Sequence, residues 1–145
     1  MATLDYFLIA ESASIDRETN GVSVFSIIED VSGTLPVQLA RLVAVSAWSI
    51  APEDYQKDFQ VTLRIPQPWK DTEPKHFDFC VNFTAERPRQ RILQHVVSLP
   101  FHEPGELKFD LLLNGERVAQ RTITVHRGEP DVASPVEDSE GLGPP

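Results

Sequence analysis

The chain contains one cysteine, Cys80, in 145 residues. An intrachain disulfide is therefore impossible, and a zinc site built on several thiolates is excluded. Long apolar runs are missing as well. No stretch of 18 apolar residues occurs, so no helix of the chain spans a bilayer. Basic residues are scarce, with 13 Lys and Arg against 22 Asp and Glu and a formal net charge of -9. Phosphate contacts need a positive field, so this balance argues against nucleic acid and against an anionic membrane surface as partners. No Lys or Arg precedes the first apolar stretch, and Asp5 interrupts it, which argues against a signal peptide. With the lone thiol, this favours a reducing cytoplasm. Also lacking are a G-x-S-x-G turn, a P-loop, G-x-G-x-x-G and H-E-x-x-H. No enzyme activity and no cofactor are expected on those grounds.

What the chain does have is a rhythm of two. Phe59, Val61, Leu63 and Ile65 alternate with polar residues, as do Phe77, Phe79, Val81 and Phe83, and then Leu107, Phe109, Leu111 and Leu113. A run from Val22 ends near Asp30, and Val118, Ile123 and Val125 mark a last strand. Leu4 to Ala13 and Arg41 to Trp48 are denser in apolar groups, as expected of strands covered on both faces. Turn chemistry separates these runs: Asn20-Gly21, Ser32-Gly33 through Pro36, Ala51-Pro52, Pro66-Gln67-Pro68, Arg87-Pro88-Arg89, Pro100 through Gly105 and Asn114-Gly115. The last is the sharpest signal, because both central residues of a type I′ turn need φ > 0 and Asn and Gly tolerate it best.

About eight strands at this spacing, with no strong helical period, predict a single antiparallel β-sandwich over residues 1–127. The expected core is Leu4, Tyr6, Leu8, Val24, Ile27, Leu42, Val45, Trp48, Phe59, Val61, Leu63, Phe77, Phe79, Val81, Phe83, Leu93, Val97, Phe109, Leu111, Ile123 and Val125, and a slip of one residue would invert any strand. Residues 128–145 hold five acidic residues, no Lys or Arg and four prolines. That composition buries too little surface to offset ordering entropy and predicts a disordered acidic tail.

Candidate sites are few. His76, Asp78 and Cys80 share one strand face at positions i, i+2 and i+4, yet successive same-face residues lie ~6.6 Å apart, so no metal is expected there. Arg87, Arg89 and Arg91 form the one basic cluster, which suits a phosphate, an acidic partner segment or the chain's own tail. Trp69, in Pro66-Gln67-Pro68-Trp69-Lys70, is a loop indole of the kind that anchors a partner or stacks on a sugar, with Tyr55 a companion. Trp48 closes an apolar strand and is expected in the core.

The segment Pro100-Phe101-His102-Glu103-Pro104-Gly105-Glu106, running into Leu107-Lys108-Phe109-Asp110-Leu111-Leu112-Leu113-Asn114-Gly115-Glu116, resembles a family of small uncharacterised bacterial all-β proteins. Leu4 to Glu11, Val24-Phe25, Leu35-Pro36 and Arg41 to Trp48 extend the resemblance to about residues 3–125. It implies an immunoglobulin-like or related sandwich in a bacterial cytosol, with no established activity and no catalytic residues to carry over.

The leading functional expectation is a non-enzymatic module that binds a protein partner, or a second copy of itself, through a sheet edge or face. Ile9, Ile28, Val43 and Leu112 motivate it, since they lie opposite the expected core set and something must cover them. A small-molecule or carbohydrate-binding sandwich using Trp69 and Tyr55 is the alternative, and a metal-dependent enzyme comes third.

Overall fold

A computed structural model of the chain describes residues 2–19, 21–33, 35, 37–66 and 73–128. Nine strands run through them: β1 (Thr3–Ile15), β2 (Val22–Ile27), β3 (Asp30–Gly33), β4 (Val37–Ser49), β5 (Asp58–Ile65), β6 (Lys75–Asn82), β7 (Arg89–Phe101), β8 (Gly105–Leu113) and β9 (Glu116–Arg127). A single 3-10 turn, Pro52–Asp54, follows β4. The strands form two sheets, β2-β1-β4-β7 and β3-β9-β8-β5-β6. Their facing surfaces meet in one core, with Phe7, Leu42, Trp48, Ile92 and Phe101 from the first sheet against Phe59, Leu63, Phe109, Leu111 and Ile123 from the second, and Phe83 just past β6 joins them.

The sandwich is thus present, with one strand more than expected and one pairing of the other sense. The run from Val22 towards Asp30 is two strands. The chain leaves the first sheet at Ile28, whose N–H donates to the Ile9 carbonyl, and joins the second at Asp30. There β3 pairs with β9 in parallel, Asp30 opposite Thr124 to Gly33 opposite Arg127, while every other pairing is antiparallel. A two-residue period cannot register such a change of sheet, because the side chains alternate on both sides of it.

The Asn-Gly hairpin forms as expected, with φ of 50° at Asn114 and 88° at Gly115. Asn114 also ties the hairpin to the next strand: its backbone N–H donates to the Gln60 carbonyl at 2.8 Å, and its side-chain oxygen accepts the Gln60 N–H at 2.9 Å.

Strand β1 shows how one residue inverts a face. Leu4 pairs with Trp48 and Tyr6 with Ala47, so Asp5 is an inserted bulge residue. Beyond it the parity reverses, and Phe7 and Ile9 enter the core in place of Tyr6 and Leu8. In β7, Ile92 and Val96 are the core residues rather than Leu93; the side chain of Val97 lies outside the described residues. Ile27 and Phe79 stay largely exposed because β2 and β6 are edge strands.

The outer face of the first sheet is apolar, and the chain covers it with its own hairpin. β1 pairs with β4 only as far as Ala10 opposite Val43; from Ser12 to Ile15 it pairs with β2 alone. This free half of the β1–β2 hairpin folds back over the sheet, where Ala13, Val22 and Val24 pack, with Tyr6 and Leu93, on Ala10, Val43 and Val45. Val43 and Val45 are 0 % exposed as a result. The residues expected to need a partner's cover are thereby accounted for within the chain: Ile9 lies in the core, Val43 under the hairpin, Ile28 against the core, and Leu112 is buried on the second sheet's outer face.

Candidate functional site

Two concave surfaces stand out. The first contains the basic cluster. Arg91 lies opposite Ala47 and Arg89 opposite Ser49, which places both on the outer face of the first sheet, ~6.6 Å apart along β7. Arg87 and Pro88 precede them in a turn closed by hydrogen bonds between Thr84 and Arg87. The folded-back hairpin brings its tip to the same place, so that Ile15 and Arg17 face the three expected arginines across a groove of about 790 Å³. Asp16 and Glu86 also border it. The Asp16 carboxylate is held locally by the Glu18 and Thr19 N–H groups, at 2.8 and 3.4 Å. None of the four arginines makes an ion pair among the described residues. The Arg91 Nε is buried with no hydrogen-bond partner.

Sequence proximity found Arg87, Arg89 and Arg91. Arg17 was out of reach, because only the hairpin's reversal brings it near. Tyr55 follows the 3-10 turn and caps it with its N–H on the Pro52 carbonyl, and it does not line this groove. Trp69 lies outside the described residues, as does the acidic tail from residue 129 onward.

The second surface lies on the flank between the sheets and went unnoticed in the sequence. β3 covers β9 only from Thr124 to Arg127. Before Thr124, β9 has no strand neighbour on that side among the described residues. The Thr124 N–H points to that side and donates to the Glu29 carbonyl at 2.9 Å. By the strand period, the backbone groups of Thr122 and Gln120 point the same way, with no strand to receive them. They open into a groove of about 520 Å³ that Leu8, Ile9, Ile27, Ile28, Glu29 and Asp30 also line. Arg121 sets the width of this flank, its Nε–H donating to the Phe7 carbonyl of β1 at 2.8 Å.

The outer face of the second sheet carries a polar row instead. Asp110 accepts from Gln120 Nε2 at 2.7 Å and from an Arg64 guanidinium nitrogen at 3.0 Å, and Arg117 approaches at 3.8 Å. Asp78 in β6 accepts the Thr62 hydroxyl at 2.7 Å, and Cys80 is exposed. No cluster of three or more metal-ligating side chains occurs among the described residues. None of the described helices is long and apolar enough to cross a membrane.

The sequence pattern of DUF6941, a family of unknown function, matches residues 5–126. The chain belongs to this family. The match covers the whole sandwich from β1 through nearly all of β9, so the DUF6941 fold and the two-sheet domain coincide. No curated protein matches the sequence. Among solved structures, the Pseudomonas fluorescens alkylpurine DNA glycosylase AlkC, bound to DNA containing an abasic site analog, resembles this DUF6941 domain with a TM-score of 0.53 at 14% identity. The alignment covers 86% of this chain and 30% of the glycosylase chain, so the domain spans under a third of that protein's length. At such identity the likeness is one of fold.

It nonetheless overturns one expectation. A related fold occurs in a protein solved bound to DNA, and the exclusion of nucleic acid drawn from net charge falls. The physical reason is that a sum over the chain does not describe a local field. Five of the acidic residues lie in residues 128–145, while four arginines share one groove.

Proposed function

We propose that this DUF6941 domain is a non-catalytic interaction module that takes an extended peptide segment of a protein partner along the free edge of β9. One observation carries the reading. The backbone of Gln120 and Thr122, with no strand beside it among the described residues, shares a groove with Leu8, Ile27 and Ile28 as well as Glu29 and Asp30, in line with a strand, β3, that already pairs on the same edge. Backbone hydrogen bonds to such an edge supply affinity, and a pocket beside it selects alternate side chains. An extended segment with an apolar residue at every second position fits both requirements.

An immunoglobulin-like classification and a cytoplasmic setting belong to the same reading. The first is supported by a split second run, β2 and β3, that serves both sheets and ends in a parallel pairing with the last strand. The second is supported by an exposed, unpaired Cys80.

The test is peptide selection on the full-length chain from a random displayed library, repeated with Thr122→Pro. Proline removes one N–H from the open edge while leaving the β8 side of the ladder intact, so the variant is expected to fold. Enrichment of extended peptides with alternating apolar residues, and at least a tenfold weaker affinity for Thr122→Pro, is the expected result. Failure to enrich any such peptide, or equal affinity of both proteins, would overturn the proposal.

A further inference from the structure

We infer that the groove between the hairpin tip and the β6–β7 turn is a binding site for phosphate groups, held by Arg17, Arg87, Arg89 and Arg91. The sequence separates Arg17 from the others by some 70 positions, and the fold brings all four to one concavity. Like charges repel when gathered, and a structure that gathers four of them beside two carboxylates retains an excess positive field. The two carboxylates of the groove offset only part of it: Asp16 and Glu86 stand against four arginines, and neither forms an ion pair with them.

Guanidinium geometry selects the ligand class. Its planar fork offers parallel N–H donors that match two oxygens of one phosphate, and it is weakly hydrated enough to give up water on contact. Four guanidinium forks, each matched to two oxygens, offer more donors than the oxygens of one phosphate can take. The ligand is therefore one that carries several phosphates, either a phosphodiester strand or a free oligophosphate. The described lining holds Ile15 and Pro88 but no aromatic ring on which a base stacks. Binding is thus directed at phosphates and is independent of base sequence.

This site is separate from the β9 edge, and its test is separate as well. Full-length chain is titrated with inorganic tripolyphosphate, with a short DNA duplex of random sequence, and with a glutamate-rich peptide, at low and moderate salt. Arginine Nε–H resonances report the contact. The expected result is that tripolyphosphate, the duplex or both shift the Arg89 and Arg91 signals. Arg89→Gln/Arg91→Gln is then expected to weaken binding at least tenfold, and Arg127→Gln, outside the groove, to leave it unchanged. Salt is expected to weaken binding of the duplex steeply. Response to tripolyphosphate alone assigns a free oligophosphate, and response to the duplex alone assigns a nucleic-acid backbone. The inference is overturned if neither phosphate ligand binds, if the double variant binds as well as the parent, or if the glutamate peptide binds as tightly as the phosphates.

Discussion

Replacing Trp48 with alanine is expected to lower the unfolding free energy by about 3–5 kcal/mol, the range for truncating a large buried aromatic. Trp48 is the largest of the fully buried side chains and sits in the core between the sheets. Its indole N–H donates to the Ser46 hydroxyl at 2.9 Å, both groups being buried. Truncation therefore opens a cavity and also removes the partner of a buried hydroxyl. Trp48→Phe separates the two effects. It keeps much of the volume and loses the hydrogen bond, so a smaller cost of about 1–2 kcal/mol is expected. Urea denaturation followed by circular dichroism measures both. A loss under about 1 kcal/mol for Trp48→Ala would contradict the placement of this side chain in the core.

Asp110→Ala is the second large effect, at about 3 kcal/mol, near the lower end for breaking a buried ion pair. The Asp110 side chain is 3% exposed although it lies on the outer face of its sheet. It accepts from Gln120 and Arg64, and removing it leaves the largely covered Arg64 without its partner while the exposed Gln120 turns to water. Arg64 already has a buried Nε without a partner, so it has no ready substitute. A third of the Arg64 side chain reaches solvent, which holds the cost below that of a fully enclosed pair. Arg117→Ala provides the control. Its guanidinium is 3.8 Å away and more than half exposed, and a change within about 0.5 kcal/mol is expected. Equal losses for the two variants in thermal unfolding would show that Asp110 is held by general charge rather than by its hydrogen bonds.

These two sites mark where the sequence was readable and where it was not. The faces of β5 and β8 followed directly from alternation, and Trp48 closed its strand as expected. The Asn114-Gly115 turn was legible because its backbone angles have few alternatives. Strand β1 was misread at one residue: Asp5 adds a bulge that no periodicity announces, and every side chain from Tyr6 to Ile9 changes face. Leu93 and Val45, expected in the core, lie on the outer face for another reason. Both faces of their sheet are apolar, and only the return of the β1–β2 hairpin explains the outer one.

The candidate sites divide the same way. Three arginines were visible because they are neighbours in the chain, and the fourth required a contact across some 70 residues. The β9 edge was invisible because it depends on where β3 stops pairing, a property of two strands and not of either sequence. Apolar residues on both alternations pointed to a missing partner, whereas the chain itself supplies their cover. What remains open on the hairpin and its edge is narrower: Ile15, Phe25 and Ile27, with Phe25 55% exposed.

Residue-resolved amide hydrogen exchange along β9 tests the central claim most directly, on the free chain and on the chain loaded with a selected peptide. In the free chain, the amides of Gln120 and Thr122 are expected to exchange rapidly while those of Arg121 and Ile123, bonded towards β8, stay protected. Peptide is expected to slow Gln120 and Thr122 and to leave Arg121 and Ile123 as they were. Uniform protection along β9 in the free chain, or peptide binding that leaves the Gln120 and Thr122 amides fast, would contradict strand addition at this edge.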